Sequence, residues 1–199
     1  MRKLSLFGPR RDISQLSPET VATALLKLEN TEDILQRVVL SDGQISQLIT
    51  KIRDSEDLKF TGLSLISNDL SQVAPDVLAG AVTRLEKVEM GDVTPTQLQE
   101  LFTRVQLGGH QLKELCLDHT DLSAITTQDL LGAIRMLEIV GFDSAVRLTM
   151  DQVTAILAML TEGSPGKLKK LKIFSPDVED EAYDLLEATE PNGILEIDW

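Results

Sequence analysis

The chain has 199 residues, 42% of them hydrophobic and 26% charged, which is typical of a folded protein and not of a disordered one. Its formal net charge of −13 opposes binding to nucleic acid, where affinity comes from Lys and Arg, and it disfavours anionic membrane surfaces. A single cysteine, Cys116, excludes an internal disulfide. No apolar run approaches the roughly 18 residues of a membrane span. We therefore expect a cytoplasmic protein with neither a nucleic-acid nor a membrane partner.

Short apolar segments with an alternating pattern recur along the whole chain. They follow the pattern apolar-x-x-apolar-x-apolar, and the last copy is GILEIDW near the carboxyl end. The other copies begin at Met1, Leu35, Phe60, Leu85, Leu112, Leu137 and Leu168. Because alternation is typical of half-buried strands, the pattern predicts about eight short β-strands.

Helical segments with a 3.6-residue period lie between these strands and are of two alternating types. One type occurs at 12–29, 69–86 and 121–138, with five positions identical in all three copies. The other occurs at 93–105 and 148–160 and leads each time into a Leu-Lys-rich strand. The period predicts about seven helices, each packing an apolar stripe against the sheet.

Several residues mark where the predicted helices and turns lie. Thr94 is followed by Pro95, which suits the first helical position, and Thr149 with Gln152 has the spacing of a capping box. In the type that occurs three times, an Asp precedes a Ser by two residues, which predicts a local turn and not a shared calcium site. An alanine at one repeated position suits a close approach of helix and sheet. These alanines are Ala24, Ala81 and Ala133.

A strand and a helix in constant order predict a parallel sheet with all helices on one face, joined by right-handed connections. Helices are wider than the spacing between strands, so such a stack must curve. We therefore expect an α/β right-handed solenoid, shaped as a horseshoe segment, with the strands on the concave face and the helices on the convex face. The whole chain, 1–199, is expected to be a single domain.

The segment 60–70, FTGLSLISNDL, matches the pattern L-x-x-L-x-L-x-x-N/C-x-L, with Phe60 at the first position and Asn68 at the ladder position. In this the sequence resembles the leucine-rich repeats. Its long units of two alternating types look most like the ribonuclease-inhibitor-like subfamily. Asn68 has no counterpart in the other units, so we expect the turns after the strands to satisfy their backbone groups in some other way.

The resemblance implies a non-enzymatic protein-interaction module, an intracellular adaptor or scaffold that binds a protein partner mainly through its concave face. Three alternatives stay open. The chain also resembles tropomodulin-like cytoskeleton-binding repeat domains, which would use loops or convex helices. It could be the regulatory or ligand-sensing fragment of a larger immune-type sensor, since Met1 already occupies a strand position without a preceding cap. The third alternative is an enzyme centred on Cys116. An uncapped first strand also allows self-association.

Side chains alternate along strands, so the residues between the apolar anchors are expected on the concave face. Aligning the strand patterns places Ser64, Glu89, Cys116, Gly141 and Lys172 in one row across the sheet. The amino-terminal end of this face is expected to be basic and its middle small and apolar. The portion after the middle is expected to be acidic, and the far end basic beside an aromatic residue. The candidates for partner binding are Arg37, Lys87, Glu89, Glu114, Cys116, Asp118, His119, Asp143, Lys170, Lys172 and Phe174.

The segment 116–121, CLDHTD, is the one place where Cys, His and Asp meet. Cys116 and His119 are about 10 Å apart on an extended chain, too far for the imidazole to activate the thiol. With one Cys and two His the chain also offers few ligands for zinc. We therefore expect neither a catalytic site nor a metal or other cofactor.

Overall fold

A computed structural model gives the fold, and it describes residues 13, 15–28, 38–66, 68–143, 145–163, 165–174, 185 and 194–198. The helices are α1 (Pro18–Leu25), α2 (Asp42–Asp54), α3 (Pro75–Val82), α4 (Pro95–Leu107), α5 (Thr127–Ile134) and α6 (Met150–Thr161). The strands are β1 (Gly62–Leu65), β2 (Lys87–Gly91), β3 (Glu114–Asp118), β4 (Ile139–Phe142), β5 (Lys170–Phe174) and β6 (Leu195–Asp198). The described residues thus form a mixed α/β structure.

The strands form one parallel sheet in which each strand pairs with the next strand in the chain. Each helix packs against the next helix in the same order, so the helices form a single row. Along β3, Leu115 and Leu117 are buried in the common core, while Glu114, Cys116 and Asp118 are partly exposed. The helices therefore cover one face of the sheet. The opposite face, which we call the open face, carries the partly exposed residues.

The described part of the sheet has fewer strands than the sequence predicts for the whole chain. The described part of the chain has six strands and six helices, where the pattern predicts about eight and about seven. The first predicted strand, at Met1, lies outside the described residues, and so does the proposed self-association through it. The second is described only at 38–41, which form no strand. There the N–H of Leu40 donates to Oδ1 of Asn68 at 2.9 Å.

The apolar stripe predicted for α3 is confirmed, but the prediction for the repeated alanine is wrong at one of its positions. Ala81 and Ala133 are each 1% exposed, as expected where a helix lies close to its neighbours. Ala24 is exposed. Among the described helices α1 packs against α2 alone, whereas α3 and α5 each lie between two helices. Packing on both sides, and not the repeated residue itself, buries this position.

The predicted turns before the short helices are confirmed where they are described. The N–H of Ser71 donates to Oδ1 of Asp69 at 2.8 Å, and the N–H of Ser123 donates to Oδ1 of Asp121 at 2.9 Å. These hydrogen bonds lower the pKa of both aspartates, because they stabilise the ionised carboxylate. The equivalent Asp12 lies outside the described residues.

The three long helices begin with the same capping box. The predicted cap of α4 at Thr94 and the predicted box of α6 are confirmed, and α2 adds a third box that the sequence analysis does not identify. In each box a Ser or Thr accepts from the backbone of a Gln three residues later, and the Gln oxygen accepts from the N–H of that Ser or Thr. The pairs are Ser41 with Gln44, Thr94 with Gln97, and Thr149 with Gln152.

The same three glutamines join successive strand–helix units. Nε2 of Gln97 donates to the carbonyl oxygens of Leu70 and Val73, both at 2.7 Å, in the turn before α3. The other two glutamines make the equivalent pairs of bonds to the turns before α1 and α5. All three side chains are at most 1% exposed. These glutamine bridges, formed by Gln44, Gln97 and Gln152, satisfy the turn carbonyls that an asparagine ladder does not reach here.

Replacing Gln97 by Glu tests one bridge, since the change keeps the shape and the capping oxygen but removes the donor. Two buried carbonyls would lose their partner and a carboxylate would be buried beside them, so we expect a loss of at least about 2 kcal/mol in the free energy of unfolding. The loss should shrink at pH 5, because a protonated carboxyl regains one donor. Chemical denaturation at both pH values measures it. The matched control is Gln128→Glu on the exposed surface of α5, and equal stability of the two variants would contradict the bridge.

Candidate functional site

The pairing of the strands confirms the predicted rows on the open face. The first row runs from Lys87 through Glu114 and Ile139 to Lys170. The second row contains Ser64, Glu89, Cys116, Gly141, Lys172 and Glu196. At the carboxyl ends of the strands, Gly91 pairs with Asp118, and Asp143 and Phe174 follow on the next two strands. One surface thus carries nearly all of the candidate residues.

The accessible part of the open face begins at β2. Gly62 is buried, and Ser64 on the same strand is 0% exposed. The next strand, by contrast, carries Lys87 and Glu89, which are both partly exposed. Arg37, the candidate expected before β1, lies outside the described residues. The surface available to a partner therefore spans β2 to β6.

Carboxylates dominate the part of the face on β2, β3 and β4. Nζ of Lys87 lies 3.2 Å from Oε1 of Glu89 on the same strand, and Lys87 is also the register neighbour of Glu114. Asp118 closes β3, and Asp143 directly follows β4. This part of the open face thus carries one ammonium group and four carboxylates. Its net charge is negative, as the sequence predicts.

Asp118 and His119 form a close contact at the end of β3. Oδ1 of Asp118 lies 2.8 Å from Nδ1 of His119, yet this buried oxygen receives no aligned hydrogen bond. His119 has φ 45°, and Asp92 after β2 has φ 51°, both in the left-handed region that few side chains adopt. The side chain of His119 is 59% exposed and that of Asp118 only 13%. The imidazole therefore lies at the rim of the surface and the carboxylate within it.

Cys116 lies at the centre of the face and is packed against Gly141. A Cβ added at Gly141 would lie 2.6 Å from Sγ of Cys116, so the sulfur occupies the space that a side chain on β4 would need. Burial, together with the nearby carboxylates of Glu114 and Glu89, raises the pKa of the Cys116 thiol to about 11. Such a thiol is protonated at neutral pH and is a poor nucleophile.

The far end of the face is basic and carries an aromatic ring. Lys170 on β5 forms an ion pair with Glu196 on β6. Lys172 and Phe174 are partly exposed on the same side of β5. Ile139, Gly141 and Glu196 also belong to this surface although they are not among the candidates. Their positions in the aligned strand patterns could have identified these three residues as part of the surface.

Two clefts lie away from this face, at the loop between α4 and β3. The larger, about 450 Å³, is lined by residues of α4 and by Gly108, Gly109 and His110. The smaller, about 260 Å³, shares His110, whose pKa is lowered by burial. Among the described residues, no three His, Cys, Asp or Glu side chains come together as a metal site. In the same part of the chain, no helix is both long and apolar enough to cross a bilayer.

The contact between Cys116 and Gly141 can be tested by a double-mutant cycle. Gly141→Ala should lower the free energy of unfolding by roughly 1 to 3 kcal/mol, because the new methyl group overlaps the sulfur. Adding Cys116→Ala should recover most of this loss, since it removes the sulfur. The control Gly43→Ala places its Cβ 3.6 Å from Pro18, an ordinary contact, and should not destabilise the protein. Strictly additive effects at 141 and 116 would contradict the contact.

Alkylation tests the state of the thiol. With a pKa of about 11, Cys116 should react with iodoacetamide much more slowly in the native protein at pH 7.5 than in guanidinium, where it behaves as a free cysteine. The native rate should still be rising above pH 9. Mass spectrometry of the labelled protein over time gives both rates. A native rate equal to the unfolded rate would show that the thiol is neither buried nor perturbed.

Comparison with known proteins gives no family for this chain. No model of a protein family matches it, and no curated protein matches it. The residues of the open face, and the elements that hold them, are therefore the basis for proposing a function.

Proposed function

We propose that the chain is a leucine-rich-repeat protein of the ribonuclease-inhibitor-like type that acts as a non-enzymatic intracellular adaptor or scaffold. It is a single-domain, right-handed horseshoe segment, and the open face is its concave face. A protein partner binds there, mainly over β2 to β5. The sequential parallel sheet and the single row of helices support this architecture.

The observation that carries the proposal is the contrast between the two faces of the sheet. Toward the helices each strand from β1 to β5 carries apolar residues at the same two positions, such as Leu115 and Leu117 on β3, and these are buried. Toward the open face no two strands carry the same set of residues. A layered core needs repetition, whereas recognition of one partner needs a particular arrangement of charge and shape. The open face has such an arrangement.

The chemistry of the open face suits a protein ligand better than a reaction. It combines charges of both signs, the small residues Cys116 and Gly141, and one aromatic ring at Phe174. Aromatic and charged side chains frequently dominate the binding energy of protein interfaces. A thiol with a pKa of about 11 counts against an enzyme centred on Cys116.

A second mode of binding, through helices or loops as in the tropomodulin-like alternative, is favoured by one observation. Leu107, at the end of α4, is 82% exposed, and it lines the larger cleft with Gly108 and Gly109. A large apolar side chain so exposed is a candidate anchor for a partner. Leu107 lies on a helix and not on the open face. Substitutions at Leu107 and on the open face can therefore distinguish the two modes of binding.

Affinity purification from source tissue with three baits tests the proposal. Wild type and Leu107→Ser should retain the same partner, identified by mass spectrometry. A variant with Lys170, Lys172 and Phe174 all changed to Ala should lose it, with affinity reduced at least about tenfold, because interface energy is concentrated in few side chains. Thermal unfolding confirms that each bait is folded. If Leu107→Ser loses the partner while the triple variant keeps it, the helix-side mode replaces the open-face mode.

A further inference from the structure

Two opposite charges on the open face have no ion-pair partner among the described residues. Lys87 is paired with Glu89, and Lys170 is paired with Glu196. In contrast, neither Glu114 on β3 nor Lys172 on β5 belongs to any described ion pair. Both side chains are partly exposed. The carboxylate of Glu114 and the ammonium group of Lys172 are therefore available to a ligand.

The strand between these two charges forms an uncharged floor. Glu114 is the register neighbour of Ile139 on β4, and Lys172 is the neighbour of Gly141 on the same strand. Because β3 and β5 are two strand spacings apart, and Lys172 lies two residues beyond Lys170, the residue aligned with Glu114, the Cα atoms of Glu114 and Lys172 are about 12 Å apart. A segment that crosses the strands meets first a carboxylate, then an uncharged floor, and then an ammonium group.

The electrostatic field beside this floor, at Cys116 on β3, supports the same polarity. At the thiol of Cys116 the influence of Glu114 and Glu89 exceeds that of Lys172 and Lys87. The surface on the β3 side is thus negative, which favours a cation in a bound ligand. On the β5 side Lys172 favours an anion, and Phe174 offers an apolar contact beside it.

We propose that the partner presents to the open face a protein segment that crosses the strands, with a Lys or Arg over Glu114 and an Asp or Glu over Lys172. The two partner charges are about 12 Å apart, which is about four residues of extended chain or eight residues of helix. The inference rests on the proposed function and adds a direction to it. A segment that places an apolar residue against Phe174 but has its two charges exchanged brings like charges together and is rejected.

Selection from a phage-displayed library of random peptides tests this order of charges. The targets are the full wild-type chain, the double variant Glu114→Lys with Lys172→Glu, and the control Glu162→Lys with Lys167→Glu. The control exchanges two exposed charges off the open face and, like the test variant, keeps the net charge. Wild type and control should select the predicted spacing with an apolar residue, for contact with Phe174, next to the acidic residue, and the double variant should select the apolar residue next to the basic one.

Synthetic peptides measure the size of the effect. A peptide selected on wild type should bind the double variant at least about tenfold more weakly, as expected when close charge pairs become repulsive. The same peptide with its two charges exchanged should recover binding to the double variant. The difference should fall as salt is raised, because partly exposed charges are screened.

Other outcomes overturn the inference in distinguishable ways. Selected peptides that lack the charge pair, or bind wild type and the double variant equally, overturn the order of charges. If these peptides still fail to bind the triple Ala variant of Lys170, Lys172 and Phe174, the open face remains the binding surface. If the triple variant binds them equally, the proposed function fails too. If no peptide is selected, charge order is not a sufficient recognition signal and the inference is wrong.

Discussion

The constraint on which this fold depends is the hydrogen bonding of the turns between sheet and helices. Their carbonyl groups are buried between neighbouring units, where water cannot reach them and an unpaired group is costly. The amide of a glutamine in the following long helix donates to two of these groups at once. By holding the turn, it fixes where the short helix starts and how the units are spaced. The register that aligns the residues of the open face follows from this spacing.

The residues on the two faces of the sheet are under different physical constraints. On the helix side, each strand–helix layer must pack closely against the layer before it. This explains why the same positions are apolar in every strand and why Ala81 and Ala133 are buried. On the open face the side chains only have to avoid one another. The sulfur of Cys116 fills the space left by Gly141, and Lys87 balances Glu89. Most other positions there are free to vary with the ligand.

Much of the fold could be predicted from the sequence, because alternation and helical period report directly on burial. The caps at Thr94 and Thr149, the turns at Asp69 and Asp121, and the rows of the open face were all predicted. The glutamine bridges were not predicted. Each of these glutamines caps its own helix and also binds a turn more than 20 residues earlier in the chain, and that contact depends on the fold. The exposure of Ala24 depends likewise on neighbouring helices. Contacts such as Cys116 with Gly141 require the register first.

The glutamine bridges have a consequence for how such a chain can lengthen or shorten. Within the part of the chain that the structure describes, they occur only on the long helices α2, α4 and α6, and each reaches back to the turn before a short helix. A short-helix unit and the following long-helix unit therefore form one block with its internal bond already in place. Gene duplication or deletion of a whole block keeps every bridge intact. Loss of a single short-helix unit would leave a glutamine without its turn. Chains that keep every bridge should therefore differ in length by multiples of two units.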